Sequence, residues 1–273
     1  MQTVTVHGVE VPWILYGTAW KEERTTDLVL AALAAGFRGI DTANQRKHYA
    51  EADVGRAIAT AGVPRDHLFV QTKFTYQRGQ DHRLPYDAAA PVAEQVEQSF
   101  ASSLRHLGVE RIDSLLLHGP ERSRGLTDGD RAAWTRFEDL HRRKLVRLLG
   151  ASNIAVDQLE ALWAHADVQP AFVQNRCYAR DGWDREVRAW CLEHGVCYQG
   201  FSILTANRAE LSSAAVTAVA KRHGKSVPEV VFAFARQLGM IVLTGTTDPA
   251  HMRAALAAAQ ITLDAHELHA LGT

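Results

Sequence analysis

The sequence predicts an α/β protein folded as a (β/α)8 TIM barrel, with a β-hairpin at its N-terminus. Two observations support this class. Short apolar runs alternate with segments of 3.6-residue periodicity, which is typical of parallel strands connected by helices. Eight such units fit in the 273 residues, a usual length for one barrel. An open, doubly wound sheet is the competing architecture. We expect one domain over residues 1–273, because no linker, low-complexity run or repeat divides the chain.

The predicted elements follow one another in barrel order. The opening segment VTVHGVEVPW predicts the hairpin, with His7-Gly8 at its turn, and this hairpin is expected to cap the barrel bottom. The predicted strands are Trp13–Tyr16, Gly39–Ile40, Phe69–Gln71, Asp113–Leu117, Leu148–Gly150, Phe172–Gln174, Val196–Phe201 and Ile241–Leu243. Helical periodicity marks Thr26–Ala35, Val92–Leu107, Ala132–Lys144 and Arg185–His194.

Composition and charge exclude several classes of function. A formal net charge of -1 with interspersed signs gives no footprint for nucleic acid or an anionic membrane. The sequence shows no signal peptide and no apolar run near the roughly 20 residues of a membrane span, so we expect a cytoplasmic protein. Cys177, Cys191 and Cys197 form no CxxC pair and are expected to be reduced, packed thiols. No protein partner can be identified from the sequence.

Polar residues follow six consecutive predicted strands. Any one of them alone would more often be a turn or capping residue. In a (β/α)8 barrel, however, the carboxyl ends of the strands form one rim, and that rim holds the active site. The six positions together therefore predict a site at the top of the barrel. They are Asp41, Lys73, His118, Ser152-Asn153, Gln174-Asn175 and Ser202.

The usual nucleotide-binding motifs are absent. No two glycines are separated by one residue, so the G-x-G-x-x-G turn of a Rossmann fold does not occur. The segment His223-Gly224-Lys225-Ser226 is similar to the end of a P-loop, but Val219 stands where the first glycine is needed. We expect a helix end there, with Gly224 as the C-terminal cap and Ser226 capping the next helix. A dinucleotide would need a different binding architecture.

An ordered set of motifs resembles the aldo-keto reductases. The motifs are GFRGIDTA followed by a Tyr and E-x-x-VG-x-AI, then QTK, LLLHGP, GASN and VQN, and they extend over nearly the whole chain. The resemblance implies a barrel that binds NADPH, with NADH as the alternative, and reduces a small-molecule carbonyl. It also implies a catalytic tetrad, which maps onto Asp41, Tyr49, Lys73 and His118. Tyr49 would protonate the forming alkoxide, with its pKa lowered by Lys73. Asp41 would orient Lys73, and His118 would position the carbonyl oxygen.

The loop that carries the tyrosine leaves two alignments open. It has more residues between Asp41 and the tyrosine than the family's usual D-T-A-x-x-Y. Alignment from the Val54-Gly55 side places His48, rather than Tyr49, at the acid position. We take Tyr49 as the acid, because a histidine acid would leave the Lys-Asp pair without a purpose. His48 then lines the substrate site together with Trp20, or packs outside it.

Family resemblance also assigns the cofactor contacts. Ser152, Asn153 and Gln174 would hydrogen-bond the carboxamide, and Phe201 would stack under the nicotinamide where the family usually has Tyr. Ser202 and Leu204 would contact the pyrophosphate.

The phosphate clamp of NADPH departs from the family pattern of I-P-K-S followed by an Arg. Gly245 stands at the Lys position and His251 at the Arg position. Thr246 and the backbone amides that open the helix after Pro249 could still hold a phosphate. We therefore expect only a modest preference for NADPH.

Two other classes of function compete with a carbonyl reductase. A non-catalytic NAD(P)H-binding subunit with the same fold would need a lost catalytic group, and none is clearly lost. A metal-dependent barrel hydrolase could use Asp41 and His118 as ligands, but no HxH or HExxH supports a metal site. The sequence favours an NAD(P)H-dependent carbonyl reductase without a metal.

Overall fold

A computed structural model describes residues 2–272, so the two ends of the predicted domain, Met1 and Thr273, lie outside the described residues. The chain opens with an antiparallel hairpin of β1 (Thr3–Val6) and β2 (Val9–Pro12). His7 and Gly8 form its turn with φ values of 46° and 77°, as the favoured two-residue hairpin turn requires. The predicted hairpin is confirmed.

Eight parallel strands close into a barrel, which confirms the predicted fold class. Each strand pairs with its neighbour in the chain, and the last pairs with the first. All eight overlap the apolar runs predicted from the sequence. The strands are β3 (Ile14–Gly17), β4 (Gly39–Asp41), β5 (Phe69–Phe74), β6 (Ile112–Leu117), β7 (Val146–Ser152), β8 (Phe172–Arg176), β9 (Cys197–Phe201) and β10 (Ile241–Thr244).

Helices connect the strands and pack around the barrel. Their apolar faces bury one continuous core against the outer surface of the sheet. Among residues 2–272, no helix is long and apolar enough to cross a membrane. The helices are α1 (Thr25–Ala35), α2 (Glu51–Thr60), α3 (Val92–Leu107), α4 (Asp128–Arg142), α5 (Val156–His165), α6 (Arg185–Glu193), α7 (Arg208–Leu211), α8 (Ala214–His223), α9 (Val227–Gln237), α10 (Pro249–Ala257) and α11 (Ala265–Ala270).

The hairpin closes the amino-terminal end of the barrel. Its side chains Val6, Val9 and Val11 belong to one apolar cluster with Phe69 and Phe172, which begin β5 and β8. Because apolar packing seals this end, the carboxyl ends of the strands are left as the open face.

The segment His223-Gly224-Lys225-Ser226 is a helix junction, as predicted. Gly224 ends α8 in the left-handed conformation at φ 60°. Ser226 caps α9 through a reciprocal pair of bonds with Glu229. These residues therefore hold two helices together and do not form a phosphate loop.

Helices α2 and α3 pack unusually closely beside the loop that carries Tyr49. A Cβ placed on Gly55 would lie 2.0 Å from the carbonyl oxygen of His106. Only glycine fits at that contact. The close packing fixes the start of α2 and thus one end of the loop.

Candidate active site

A cavity of about 630 Å³ opens at the carboxyl ends of the strands, and its size suits a small-molecule ligand. Lys73 is buried behind this cavity, and Asn175 and His251 lie outside its wall. All the other predicted site residues contribute to the cavity wall. They are Trp20, Asp41, His48, Tyr49, His118, Ser152, Asn153, Gln174, Phe201, Ser202, Leu204, Gly245 and Thr246.

Asp41 and Lys73 form a buried ion pair at the floor of the cavity. The Lys73 ammonium donates to both carboxylate oxygens of Asp41, each at 2.7 Å, and to the carbonyl oxygen of Thr42 at 2.9 Å. Burial lowers the pKa of Lys73, while the charge and hydrogen bonds of Asp41 oppose that shift. Gln71 and Gln174 also donate to Asp41, at 2.7 and 3.1 Å, so the carboxylate is held in one orientation.

The long loop after β4 places Tyr49, rather than His48, over this ion pair. A backbone turn absorbs the extra residues, because the amides of His48 and Tyr49 both donate to the carbonyl oxygen of Gln45. The Tyr49 ring centroid then lies 5.6 Å from the Lys73 Nζ and 6.0 Å from the His118 ring centroid.

His48 points to the outer wall of the cavity instead. Its ring lies against that of Trp20, with the two centroids 3.7 Å apart. The Trp20 amide donates to the His48 carbonyl oxygen at 2.8 Å. The two residues predicted to contact substrate therefore form one aromatic unit, although the indole of Trp20 remains 66% exposed.

The pKa of Tyr49 is shifted in the direction opposite to the one expected from the sequence. Burial, followed by the negative charge of Asp41, raises this pKa above its usual value. The expected net lowering by Lys73 is wrong, because burial and the charge of Asp41 outweigh the ammonium, whose three hydrogen bonds go to Asp41 and Thr42. Within residues 2–272, no hydrogen bond joins the Tyr49 hydroxyl to Lys73. The phenol consequently stays protonated at neutral pH, as a proton donor must.

His118 is held neutral beside the tyrosine. Burial, and then the charges of Lys73 and His48, lower the pKa of His118 to about 3. The hydroxyl of Thr75 lies 2.7 Å from the His118 Nδ1. A Thr75 hydroxyl that donates to Nδ1 leaves the proton on Nε2, the other ring nitrogen. Sequence reasoning missed Thr75, although it lies two residues after Lys73, directly past the end of β5.

The polar side-chain atoms of Ser152, Asn153 and Gln174 that have no hydrogen-bond partner among the described residues fit a carboxamide group. The Asn153 amide nitrogen donates to the His118 carbonyl oxygen at 2.7 Å and to Ser152 Oγ at 3.1 Å. The Gln174 amide nitrogen donates to Asp41 and, at 2.8 Å, to Gln199. Among the described residues, these bonds leave the Ser152 hydroxyl proton, Asn153 Oδ1 and Gln174 Oε1 unused. One donor and two acceptors match the carbonyl and amide protons of a nicotinamide carboxamide.

At the opposite side of the cavity, Lys21 bridges the loops after β3 and β10. Its ammonium donates to the carbonyl oxygen of Gly245. A Cβ on Gly245 would lie 3.3 Å from the Lys21 Nζ and 3.2 Å from the Gly17 carbonyl oxygen, so the glycine makes room for the lysine. Lys21 lines the cavity and was not predicted. Its position next to Trp20 was the available signal.

The backbone amides expected to hold a phosphate at the start of α10 already donate to a side chain of the protein. Asp248 caps this helix, and its Oδ1 accepts the backbone N–H groups of Ala250 at 2.7 Å and His251 at 3.4 Å. The expectation that these amides are free for a phosphate is therefore wrong. The His251 side chain is exposed, and its Nδ1 lies 3.9 Å from the Asp248 carboxylate.

No group of three or more His, Cys, Asp or Glu side chains in residues 2–272 is arranged to hold a metal ion. The functional groups at the cavity floor are a protonated phenol, a neutral imidazole and a buried ion pair. Such a set can donate a proton and hydrogen bonds to an oxygen that gains negative charge.

Comparison with known proteins gives one consistent answer. Residues 13–272 match the model of the aldo/keto reductase family. A glyoxal reductase of Bacillus subtilis is 30% identical over 88% of this chain and 81% of its own length. An aldo-keto reductase of Mycolicibacterium vanbaalenii is 33% identical over 89% of this chain and 80% of its own length. The crystal structure of an aldo/keto reductase from Brucella melitensis superposes with a TM-score of 0.86 at 25% identity, covering 99% of this chain and 98% of that one.

Proposed function

Because this chain belongs to the aldo/keto reductase family and is an NAD(P)H-dependent carbonyl reductase, we propose that it reduces small aldehydes and related carbonyls, with Tyr49 as the proton donor. One observation carries this assignment. Tyr49, His118 and the Asp41–Lys73 pair converge on the floor of one cavity. The Tyr49 ring centroid lies 6.0 Å from that of His118 and 5.6 Å from the Lys73 Nζ.

Each of the four residues has a separate role in the reaction at the carbonyl oxygen. When bound, the nicotinamide cofactor supplies the hydride that reduces the carbonyl carbon. His118 donates one N–H to the oxygen and so fixes its direction, and Tyr49 protonates the oxygen as negative charge develops. The positive charge of Lys73 stabilises the phenolate that Tyr49 leaves behind, and Asp41 keeps Lys73 charged and in place.

The cofactor's nicotinamide end would be held by the unused polar atoms of Ser152, Asn153 and Gln174. Phe201 lines the same side of the cavity and offers a ring face for stacking. Ser202, Leu204 and Thr246 lie on the cavity wall toward the loops after β9 and β10, where the pyrophosphate would pass.

The expected cofactor is NADPH, with NADH accepted at only a modest disadvantage. Gly245 has no side chain that could carry a charge, and His251 is exposed on the first turn of α10. Asp248 adds a negative charge close to where a 2′-phosphate would lie. None of these features provides the charged clamp that would make discrimination steep.

Aldehydes are the substrate class that the relatives support best. The glyoxal reductase of Bacillus subtilis and a Saccharomyces cerevisiae aldehyde reductase, 27% identical over 89% of this chain, are both named for aldehyde reduction. The cytoplasmic location expected from the sequence stays a prediction.

A direct assay tests the proposal. The purified protein is mixed with NADPH or NADH and with glyoxal, methylglyoxal or an aromatic aldehyde, and loss of the reduced cofactor is followed by absorbance. We expect turnover with aldehydes that is unaffected by a metal chelator. Cofactor binding, measured by fluorescence quenching, without turnover of any carbonyl would contradict the proposal and favour a non-catalytic subunit.

A further inference from the structure

Arg176 is an exposed cation on the cavity wall. It is the last residue of β8 and lines the cavity together with Tyr49 and His118. Among residues 2–272, no carboxylate forms an ion pair with it and no acceptor takes its guanidinium N–H groups. The guanidinium carbon lies 5.5 Å from the ring centroid of Phe201. The guanidinium therefore presents its five N–H donors to whatever enters the cavity.

The strand register places Arg176 above the reacting groups. Gln174 and Arg176 are two residues apart on β8, so their side chains leave the same face of the strand, about 7 Å apart along it. Gln174 points into the barrel, where it donates to Asp41. Arg176 pairs with Phe201 on β9, as Gln174 pairs with Gln199 one layer below. Arg176 and Phe201 thus form the next layer outward, over the nicotinamide end of the cavity.

The charges around Arg176 leave it uncompensated. Among the described residues that line the cavity, Asp41 has the one acidic side chain, and Lys73 already binds both of its oxygens. His118 is neutral, since its pKa is lowered to about 3. Lys21, the other cation, is bound to the carbonyl oxygen of Gly245 across the cavity. A free guanidinium in such a setting favours an oxyanion that it can bind through two parallel hydrogen bonds.

We propose that Arg176 binds the carboxylate of carbonyl substrates, so that aldehyde acids and oxo acids are the preferred substrate class. This inference rests on the proposed function of the cavity. The carbonyl oxygen would lie at Tyr49 and His118, and the carboxylate would face the guanidinium on the wall above. An uncharged aldehyde of the same shape lacks the second anchor and is bound more weakly.

The cofactor's pyrophosphate is the other oxyanion that could reach a cation here. Its expected path follows the loops after β9 and β10, where Lys21 stands. Arg176 lies instead on β8, directly above Gln174, at the end of the cavity where the reaction takes place. The position of Arg176 therefore favours the substrate as its partner.

The test compares an acid with its neutral ester. Specificity constants for 4-carboxybenzaldehyde and methyl 4-formylbenzoate are measured for wild type, Arg176→Met and Arg176→Lys. Arg180→Met is the matched control, because Arg180 lies four positions further on, 67% exposed and outside the cavity wall. Dissociation constants for NADPH are measured on the same proteins by fluorescence quenching.

We expect wild type to prefer the acid, and Arg176→Met to lose about ten- to a hundredfold on the acid, the scale of a charged hydrogen bond. The ester should change by less than about threefold, Arg176→Lys should retain part of the preference, and Arg180→Met should behave as wild type. The NADPH constant should stay the same. Equal losses on acid and ester, or no acid preference in wild type, would overturn the proposal. Weaker NADPH binding that accounts for the loss would also overturn it and assign Arg176 to the cofactor.

A binding measurement separates this inference from the proposed function. The affinity of 4-carboxybenzaldehyde for the complex with NADP⁺ is measured by calorimetry, where no turnover is needed. Arg176→Met should weaken this binding while the ester's binding is unchanged, and unchanged binding of the acid would overturn the inference. An inactive wild type that still shows the Arg176-dependent binding would contradict the catalytic proposal alone.

Discussion

The hydroxyl of Thr75 lies 2.7 Å from Nδ1 of His118, and the two residues directly follow the neighbouring strands β5 and β6. Both residues are near the cavity floor, with Thr75 5% exposed. A neutral imidazole carries one proton, and the partner of Nδ1 decides which nitrogen bears it. Because Nε2 is the ring nitrogen left to meet a substrate oxygen, Thr75 is a positioning residue for the reaction.

Removal of this hydroxyl should weaken catalysis without affecting cofactor binding. Thr75→Val keeps the shape but leaves Nδ1 without its partner, so the donor form of His118 is no longer selected. We expect kcat/KM for an aldehyde to fall about two- to tenfold, the scale of one hydrogen bond, with the NADPH dissociation constant unchanged. Thr75→Ser retains the hydroxyl and should restore activity. The tautomer of His118, observed by ¹⁵N NMR, should change in Thr75→Val; an unchanged tautomer would mean that Thr75 does not act through the imidazole.

The identity of the acid can be decided by two neighbouring substitutions. Tyr49→Phe keeps the ring and removes the proton donor, so turnover should fall by a factor of about 100 or more while NADPH still binds. His48→Gln should cost much less, because the His48 ring lies against Trp20 at the outer wall. Steady-state rates and fluorescence titrations on both variants provide the measurement. An inactive His48→Gln beside an active Tyr49→Phe would reverse the assignment.

The two directions of the reaction should respond differently to pH. Tyr49 stays protonated because burial raises its pKa above the usual value, and His118 stays neutral because its pKa is lowered to about 3. Carbonyl reduction needs the protonated phenol, so kcat should be flat between about pH 5 and pH 9. Alcohol oxidation needs the phenolate, whose fraction rises about tenfold per pH unit below the raised pKa, so that rate should climb throughout the range.

The measurement is a kcat profile in both directions, with His48→Gln as control for the second imidazole on the wall. An inflection near pH 6.5 in the reduction profile that persists in His48→Gln would show that His118 titrates in the working range, contrary to the expectation.

Sequence reasoning identified the features that are local in the chain. Each strand of the barrel is a short apolar run. Asp41, Lys73 and His118 each follow a predicted run, so the closed fold brings these three residues to one rim. The choice between His48 and Tyr49 depended on the path of one loop, which the turn closed by Gln45 decides in the structure.

Features that join distant parts of the chain were missed. The bond from Lys21 to Gly245 links residues 224 positions apart, and no periodicity or motif pairs them. The contact between Thr75 and His118 depends on the register of two strands. The pKa of Tyr49 depends on burial and on how the Lys73 ammonium is shared, so the direction inferred from residue types alone was wrong.

The charge of Asp248 should limit the preference for NADPH. Asp248 caps α10, and hydrogen bonds from the backbone amides of Ala250 and His251 lower its pKa, so it is anionic at neutral pH. A 2′-phosphate bound beside Gly245 and Thr246 would meet this charge. Asp248→Asn keeps the capping acceptor and removes the charge. NADPH binding should tighten about two- to fivefold at low salt and less at high salt, as for exposed charges, while NADH binding stays the same.

Asp264→Asn provides the control, because Asp264 caps α11 in the same way but lies outside the cavity wall. It should leave both cofactors unaffected, and melting temperatures of both variants check that the caps are intact. Fluorescence titrations with NADPH and NADH at two salt concentrations give the four constants for each protein. If NADH tightened as much as NADPH in Asp248→Asn, the effect could not come from the 2′-phosphate, and the adenosine end would have to lie elsewhere. If wild type already preferred NADPH by more than about a thousandfold, another cation would have to reach the phosphate, and the exposed Arg208 and Arg253 would be the first to substitute.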